Sequence, residues 1–203
     1  MILLINDIEY AVISTEENPE YELKVFKCLH DGKNYNVYTS MGANDKERKT
    51  NFRNLRKIIK MLDHSKILTP KFIFCDKKQF MIVQESVSGQ TCLEMLSERD
   101  LTDEIYDSFF YYSSFARAMG FNLSYSPKDY TLHEDKLYYT GTMILPYSKE
   151  TSLVETSVML WVYSKPLTKL LTENGLKVDT PRLKGNAETN KEVVCLVYKH
   201  YQL

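Results

Sequence analysis

The chain has 203 residues, of which 43% are hydrophobic and 26% charged, and its formal net charge is −1. This composition predicts one folded domain or two small lobes, and it excludes a disordered or fibrous protein. The near-zero charge gives no whole-molecule attraction to nucleic acid or to a membrane surface. The seven glycines stand apart and form no G-x-G pair, which excludes a glycine-rich phosphate-binding loop.

Met1–Ile5 is apolar, but it ends at Asn6 and Asp7 and has no basic start, so it is too short for a signal peptide. No apolar run approaches the about 20 residues that cross a bilayer. The cysteines lack C-x-x-C spacing and lie among apolar neighbours, which predicts reduced, buried thiols at Cys28, Cys75, Cys92 and Cys195. We therefore expect a cytoplasmic protein without a membrane partner.

The first 86 residues are predicted to form strands interrupted by one helix. Asp31-Gly32 is a hairpin signal between two of these strands, and Lys77-Lys78 marks a second hairpin. The predicted strands are Met1–Ile5, Ile8–Ile13, Tyr21–Leu29, Asn34–Ser40, Phe72–Asp76 and Gln79–Glu85.

The single helix of this part begins at a capping-box pattern made by Asn44 and Glu47. Its apolar stripe is Phe52, Leu55, Ile59 and Leu62. Between positions 46 and 60 its basic residues, against a lone acidic Glu47, are Lys46, Arg48, Lys49, Arg53, Arg56, Lys57 and Lys60. A solvated helix face is the favoured interpretation, because no aromatic platform interleaves with the cations as binders of single strands require, and the alternative is a face that docks an acidic partner or RNA.

A hinge is predicted at Glu85, Ser86, Val87, Ser88 and Gly89, because the apolar periodicity changes there from two to 3.6. The expected division is a lobe at 1–86, a linker at 87–91 and a mainly helical lobe at 92–203.

The second part is predicted to be helical around one small hairpin. A helix begins at Thr102 and ends at Gly120, and its apolar stripe is Ile105, Phe109, Tyr112, Ala116 and Met119. The hairpin joins Tyr130–Leu132 to Lys136–Thr140. The aromatic run Phe109–Tyr112 favours core packing, with dimerisation as the alternative.

Near the C-terminus, Ser152 and Glu155 form a capping-box pattern that opens a helix with Val154, Val158 and Trp161. Pro166 kinks this helix or begins a new one, which ends at Asn174-Gly175. Lys177–Lys191 is predicted as a loop, and Val193–Tyr201 as a strand or a short helix.

Four segments of the chain resemble parts of protein-kinase-like phosphotransferases. Gln79–Thr91 is similar to their strand-and-hinge segment, and Phe52–His64 to their first-lobe helix. Leu123–Tyr130 resembles their catalytic loop, and Lys136–Thr142 their metal-binding loop. The resemblance implies an α+β, bilobal kinase-like fold with an antiparallel sheet and one helix in the first lobe.

The residues that carry the chemistry of that family are replaced here. The resemblance places Tyr38 at the lysine of the third strand and Asn54, or Leu55, at the helix glutamate. It places Ser124 at the base aspartate, Asp129 at the metal-binding asparagine and Gly141 at the metal-loop aspartate. It therefore implies a pseudokinase that regulates or scaffolds by binding. We expect no metal or other cofactor. The expected partner is another protein, and a homodimer is a further option.

Two other functions stay open. One is an atypical ATP-dependent phosphotransferase that uses Lys24 or Lys27 together with Asp129, although alternation favours a solvated strand face for the lysines and Asp129 suits a turn. The other is an unrelated α+β binding domain with a basic helix. Whether the protein is an enzyme is open at this point, and the replacements favour a protein that is not one.

Overall fold

The computed structural model describes residues 1–18, 22–142, 144–147 and 158–200. It is an α+β protein whose chain divides into two compact units, Met1–Val87 and Ser88–Leu203. We call these unit 1 and unit 2. The division falls inside the segment predicted as a hinge.

Unit 1 contains a six-stranded antiparallel sheet in the order β1-β2-β3-β4-β6-β5. The kinase-like interpretation required Asn34–Ser40 within a five-stranded sheet; this segment does lie between β3 and β6, and β1 adds a sixth strand at the edge. The strands are β1 (Ile2–Ile5), β2 (Ile8–Asn18), β3 (Leu23–His30), β4 (Lys33–Ser40), β5 (Phe72–Asp76) and β6 (Met81–Glu85).

Two tight turns, one between β1 and β2 and one between β3 and β4, contain residues that tolerate positive φ. Asn6 and Asp7 have φ of 49° and 63°, and Asp31 and Gly32 have φ of 47° and 73°. Two consecutive positive φ values match the twist of a two-residue hairpin. The hairpin predicted at Asp31-Gly32 is confirmed.

The second strand is longer than predicted, because it continues past Ile13 to Asn18. The added residues are polar and give no apolar alternation, so sequence reasoning ended the strand early. Glu16 and Glu17 form ion pairs with Lys27 and Lys24 of β3, at 2.5 and 2.7 Å. Cross-strand charge pairs of this kind stabilise an exposed strand face.

Helix α1 (Asp45–Asp63) begins where the capping pattern predicted. The Asn44 side chain accepts a hydrogen bond from the Glu47 N–H at 3.0 Å, and Glu47 Oε2 accepts one from the Ala43 N–H at 2.9 Å. The whole predicted apolar stripe is buried: Phe52, Leu55, Ile59 and Leu62.

Unit 2 holds four helices and two small sheets among its described residues. The helices are α2 (Cys92–Glu98), α3 (Asp103–Ala118), α4 (Lys165–Glu173) and α5 (Asn186–His200). One sheet has the order β10-β9-β7, and β8 pairs with β11. The strands are β7 (Gln90–Thr91), β8 (Phe121–Leu123), β9 (Tyr130–His133), β10 (Lys136–Tyr139) and β11 (Ile144–Pro146).

The aromatic run of α3 forms the core of this unit. Phe109 and Phe110 are fully buried, and the Phe109 ring stacks on Trp161 at 3.7 Å between centroids. Tyr112 is buried and donates a hydrogen bond to the Leu137 carbonyl, whereas Tyr111 is 46% exposed. Core packing, the favoured interpretation, accounts for three of the four residues.

Several expectations for unit 2 are wrong. The predicted loop Lys177–Lys191 ends too late, because α5 begins at Asn186 and its buried residues, Thr189 and His200, give little apolar periodicity. For Val193–Tyr201, the helix alternative is confirmed as far as His200. Cys195 lies exposed on this helix and Cys75 is half-buried, so the expectation of four buried thiols fails. The last residue of the predicted α3 stripe, Met119, is exposed because it follows the end of the helix.

The helix predicted with Val154, Val158 and Trp161 falls largely outside the described residues, as do Ser152 and Glu155. Its described part, Val158–Leu160, is a single 3₁₀ turn. A new helix begins after it: Ser164 caps α4 with Pro166 in the first turn, which is where proline suits a helix.

Candidate functional site

Tyr38 lies on β4 in the core between the sheet and α1, where it is 3% exposed and packs in a cluster with Leu55 and Ile59. Burial raises the pKa of its phenol to about 12, against a smaller opposing effect of a hydrogen bond with Asn36. The group is therefore neutral at physiological pH and supplies no cation. Asn54 is exposed, because successive helical residues are about 100° apart and Leu55 occupies the inward position.

Three of the positions implied by the resemblance converge in unit 2. The Ser124 hydroxyl donates a hydrogen bond to Asp129 Oδ2. The Asp129 carbonyl accepts hydrogen bonds from the N–H groups of Thr140 and Gly141, at 2.8 and 3.1 Å. Ser124 follows β8, Asp129 ends the turn at Pro127–Asp129, and Gly141 follows β10. These three residues meet at one place, which we call the loop centre.

The ring of Tyr139 closes the loop centre on one side. Its hydroxyl accepts a hydrogen bond from the Ser124 N–H at 3.2 Å, and its side chain is fully buried. A Cβ built on Gly141 would lie 2.7–2.8 Å from the hydroxyl and two ring carbons of Tyr139. A carboxylate at position 141 therefore has no room beside this ring.

Asp129 is the one acidic residue of the loop centre. Burial raises the pKa of its carboxyl above the usual value, and the Ser124 hydrogen bond and the Lys128 charge oppose that shift. A pKa raised in this way indicates that the loss of solvation outweighs the stabilisation of the carboxylate by Ser124 and Lys128. No group of three His, Cys, Asp or Glu side chains that suits a metal ion occurs within the described residues.

The predicted hinge residues have defined places at the ends of the two units. In unit 1, the Glu85 N–H donates to the Lys71 carbonyl at 2.9 Å, and the Ser86 N–H donates to the Asn34 carbonyl at 2.8 Å. In unit 2, Gly89 has φ +147°, and a Cβ there would meet the Leu132 carbonyl oxygen at 2.0 Å. Glycine is thus required at position 89 by its backbone and by its neighbour.

The basic residues of α1 lie on the solvent side of unit 1. Five of them follow one another at spacings of three and four residues and form a stripe about 21 Å long, from the rise per helical residue. We call Lys46, Lys49, Arg53, Arg56 and Lys60 the basic stripe. Arg48 lies apart from it, 3.5 Å from Asp45, with its guanidinium over the Phe80 ring, whereas Lys57 is exposed beside the stripe and does not line the pocket that opens there.

A pocket of about 220 Å³ opens beside the basic stripe, between α1 and the turn that joins β5 to β6. It is lined by Lys49, Phe52, Arg53, Arg56, Lys77 and Phe80. Four of these six side chains are cations. We call this the basic pocket.

The turn that completes the basic pocket is held in an unusual conformation. Asp76 Oδ1 accepts hydrogen bonds from the N–H groups of Lys78 and Gln79, at 2.7 and 3.1 Å. Phe80 follows with φ +56°, a conformation rare for a bulky residue. Its ring lies 5.8 Å from that of Phe52. Sequence reasoning placed the turn but missed Lys77 and Phe80 as part of a site, because no local signal says which helix a turn packs against.

Lys24 and Lys27, the lysines of the atypical phosphotransferase hypothesis, lie three residues apart on β3 and therefore project from opposite faces of the sheet. Each is paired with a glutamate of β2, and Lys24 Nζ lies 5.6 Å from the centre of the Phe26 ring. Both lysines are partly exposed, but they do not share the single solvated strand face that was favoured from the sequence.

The sequence matches no protein-family model, and a search of curated proteins finds no significant match to it. Within the described part of the chain, no helix has the length and apolar character needed to cross a bilayer. The geometry described above therefore carries the functional argument.

Proposed function

We propose that this chain is a non-catalytic, kinase-like protein that regulates or scaffolds by binding a protein partner. The observation that carries the proposal is the contact between Gly141 and the buried ring of Tyr139. At the position where the resemblance requires a metal-binding carboxylate, a Cβ would already stand 2.7–2.8 Å from that ring. Packing of Tyr139 against Gly141 leaves no room for that carboxylate.

The charges support the same conclusion. Phosphoryl transfer depends on cations and metal ions that counter the charge of the phosphates. Tyr38, at the implied lysine position, is a buried phenol whose pKa is raised to about 12. The Asp129 carboxylate accepts a hydrogen bond from the Ser124 hydroxyl, and burial raises its pKa. Neither position, Tyr38 in unit 1 or Asp129 in unit 2, supplies the positive charge that a polyphosphate requires.

The bilobal kinase-like fold is part of this proposal. Its support in unit 1 is β4 between β3 and β6, with Tyr38 packed against α1. Its support in unit 2 is the convergence of Ser124, Asp129 and Gly141, residues that the resemblance assigns to one centre.

A thermal-shift titration with ATP and Mg²⁺ tests the proposal. A ligand at 100 times its dissociation constant stabilises the folded state by about 2.7 kcal/mol, which raises the melting temperature of a chain of this size by several degrees. We expect no change that depends on Mg²⁺. A shift that requires both ATP and Mg²⁺, and that is lost in Asp129→Asn, would contradict the proposal and favour the atypical phosphotransferase.

A further inference from the structure

The basic pocket gathers positive charge that the described part of the protein does not neutralise. Lys49, Arg53, Arg56 and Lys77 line a space of about 220 Å³. No carboxylate of the described residues forms an ion pair with any of the four. Gathering like charges around a small space is unfavourable unless an anion enters it.

Arg56 provides a second, independent observation. Its Nε is buried and has no hydrogen-bond acceptor among the described residues. Buried donors in folded proteins nearly always have an acceptor, and each exception calls for an explanation. Arg56 also lines the basic pocket, so an anion bound there lies beside its guanidinium, and a rotation of the side chain would let Nε donate to it.

The volume of the pocket limits what enters it. About 220 Å³ is below the range of about 300–1,000 Å³ that is typical of pockets for whole small ligands. It suits one side chain or one phosphoryl group. A phosphoryl group carries about −1.5 to −2 charges and three acceptor oxygens, and arginines bind it through paired N–H groups, so it matches four cations better than a single carboxylate does.

The surroundings of the pocket favour a protein as the carrier of that group. The basic stripe extends beyond the pocket to Lys46 and Lys60 and can hold an acidic segment on either side of the anchored group. The two aromatic rings are set into the structure: Phe52 is buried and Phe80 lies beneath Arg48. They offer no exposed platform on which bases would stack.

We propose that the basic pocket binds a phosphorylated side chain of an acidic segment in a protein partner. Arg53 and Arg56 hold the phosphoryl group, Lys49 and Lys77 add charge, and the basic stripe attracts the flanking acidic residues. This inference rests on the proposed role as a binding protein, and it names the class of partner and the surface that receives it.

The test is fluorescence anisotropy with a labelled acidic peptide that carries one phosphoserine. The decisive variant is Arg53→Gln/Arg56→Gln, and its matched control is Lys57→Gln/Lys78→Gln, which removes the same total charge outside the pocket, one cation from α1 and one from the turn between β5 and β6. We expect the pocket variant to weaken binding by about tenfold or more and the control by about twofold or less. Melting curves of both variants establish that they are folded.

Three further probes complete the test. The unphosphorylated peptide should bind at least about tenfold more weakly than the phosphopeptide. Inorganic phosphate that binds as tightly as the phosphopeptide would indicate a free-anion site and overturn the proposal. A single-stranded RNA that binds more tightly, with the same sensitivity to the pocket variant, would overturn it in favour of nucleic acid.

Equal weakening of peptide binding by the pocket and control variants would also overturn the proposal, because it would indicate diffuse attraction to the helix.

The result of the phosphopeptide test can be separated from the result of the ATP test of the proposed function. Failure to bind phosphopeptide removes this inference and leaves the ATP result unaffected, whereas Mg²⁺-dependent ATP binding removes the proposed function and leaves the pocket result unaffected.

Discussion

Gly141 and Tyr139 lie in van der Waals contact inside unit 2, and the Tyr139 side chain is fully buried. The backbone at Gly141 has no positive φ, so the requirement for glycine comes from the neighbouring ring. A residue with a side chain at this position has to displace an aromatic group that is itself hydrogen-bonded to the Ser124 N–H.

We predict that Gly141→Ala lowers the free energy of unfolding by about 1–3 kcal/mol, the usual range for overpacking a core. Gly185→Ala is the control, because nothing lies within 4 Å of an added Cβ there. This variant should lower the free energy of unfolding by less than about 1 kcal/mol. Urea denaturation measures both. In a double-mutant cycle, Tyr139→Leu should recover part of the Gly141→Ala loss, and strict additivity would contradict the steric explanation.

Asp129 gives a pH-dependent prediction. Its pKa is raised in the folded protein, so its contribution to stability is fully present below the unfolded pKa of about 3.9 and is lost as the pH rises through the folded pKa. Asp129→Asn cannot ionise. The stability of this variant relative to the wild type should therefore increase between about pH 4 and pH 7.

A difference for Asp129→Asn that is constant, or that shrinks as the pH rises, would show that burial does not disfavour its carboxylate.

At the scale of secondary-structure elements, two helix starts that look alike in sequence differ in the folded protein. Asn44 makes a side-chain hydrogen bond to the α1 backbone, whereas Thr102, at the start of α3, makes no side-chain cap bond. We expect Asn44→Ala to lower the free energy of unfolding by about 1 kcal/mol, and Thr102→Ala to lower it by less than half of that. Urea denaturation of both variants checks this, and equal losses would contradict it.

Elements with strong local signals were predictable. Asn44 and the stripe from Phe52 to Leu62 fixed α1, and Asp31-Gly32 fixed a hairpin. Elements whose stability comes from other parts of the chain were not: β2 beyond Ile13 depends on ion pairs with β3, and α5 buries little apolar surface of its own.

The candidate site divides in the same way. The resemblance assigned Ser124, Asp129 and Gly141 to one centre, and the structure brings them together. The basic face of α1 was visible in the sequence, but the basic pocket was not. It needs Lys77 and Phe80 from a turn that is distant in sequence, and it depends on the positive φ of Phe80, which no propensity predicts.

At the scale of the whole molecule, unit 1 has what an independent domain requires. Its sheet is complete within Met1–Val87, and two buried clusters lie on opposite sides of the sheet. We predict that a fragment of residues 1–87 folds cooperatively. Circular dichroism on heating should give a sigmoidal transition, and a broad, non-cooperative loss of signal would contradict the prediction.

The central claim is that the protein binds a phosphorylated partner in unit 1 and has lost nucleotide chemistry in unit 2. An amide NMR titration of the full chain tests both parts at once, because each residue reports separately. We predict that the phosphopeptide shifts the amide signals of Lys49, Arg53 and Arg56, and that ATP with Mg²⁺ leaves those of Ser124, Asp129 and Gly141 in place. Shifts of Ser124, Asp129 and Gly141 that depend on Mg²⁺ and ATP would contradict the account.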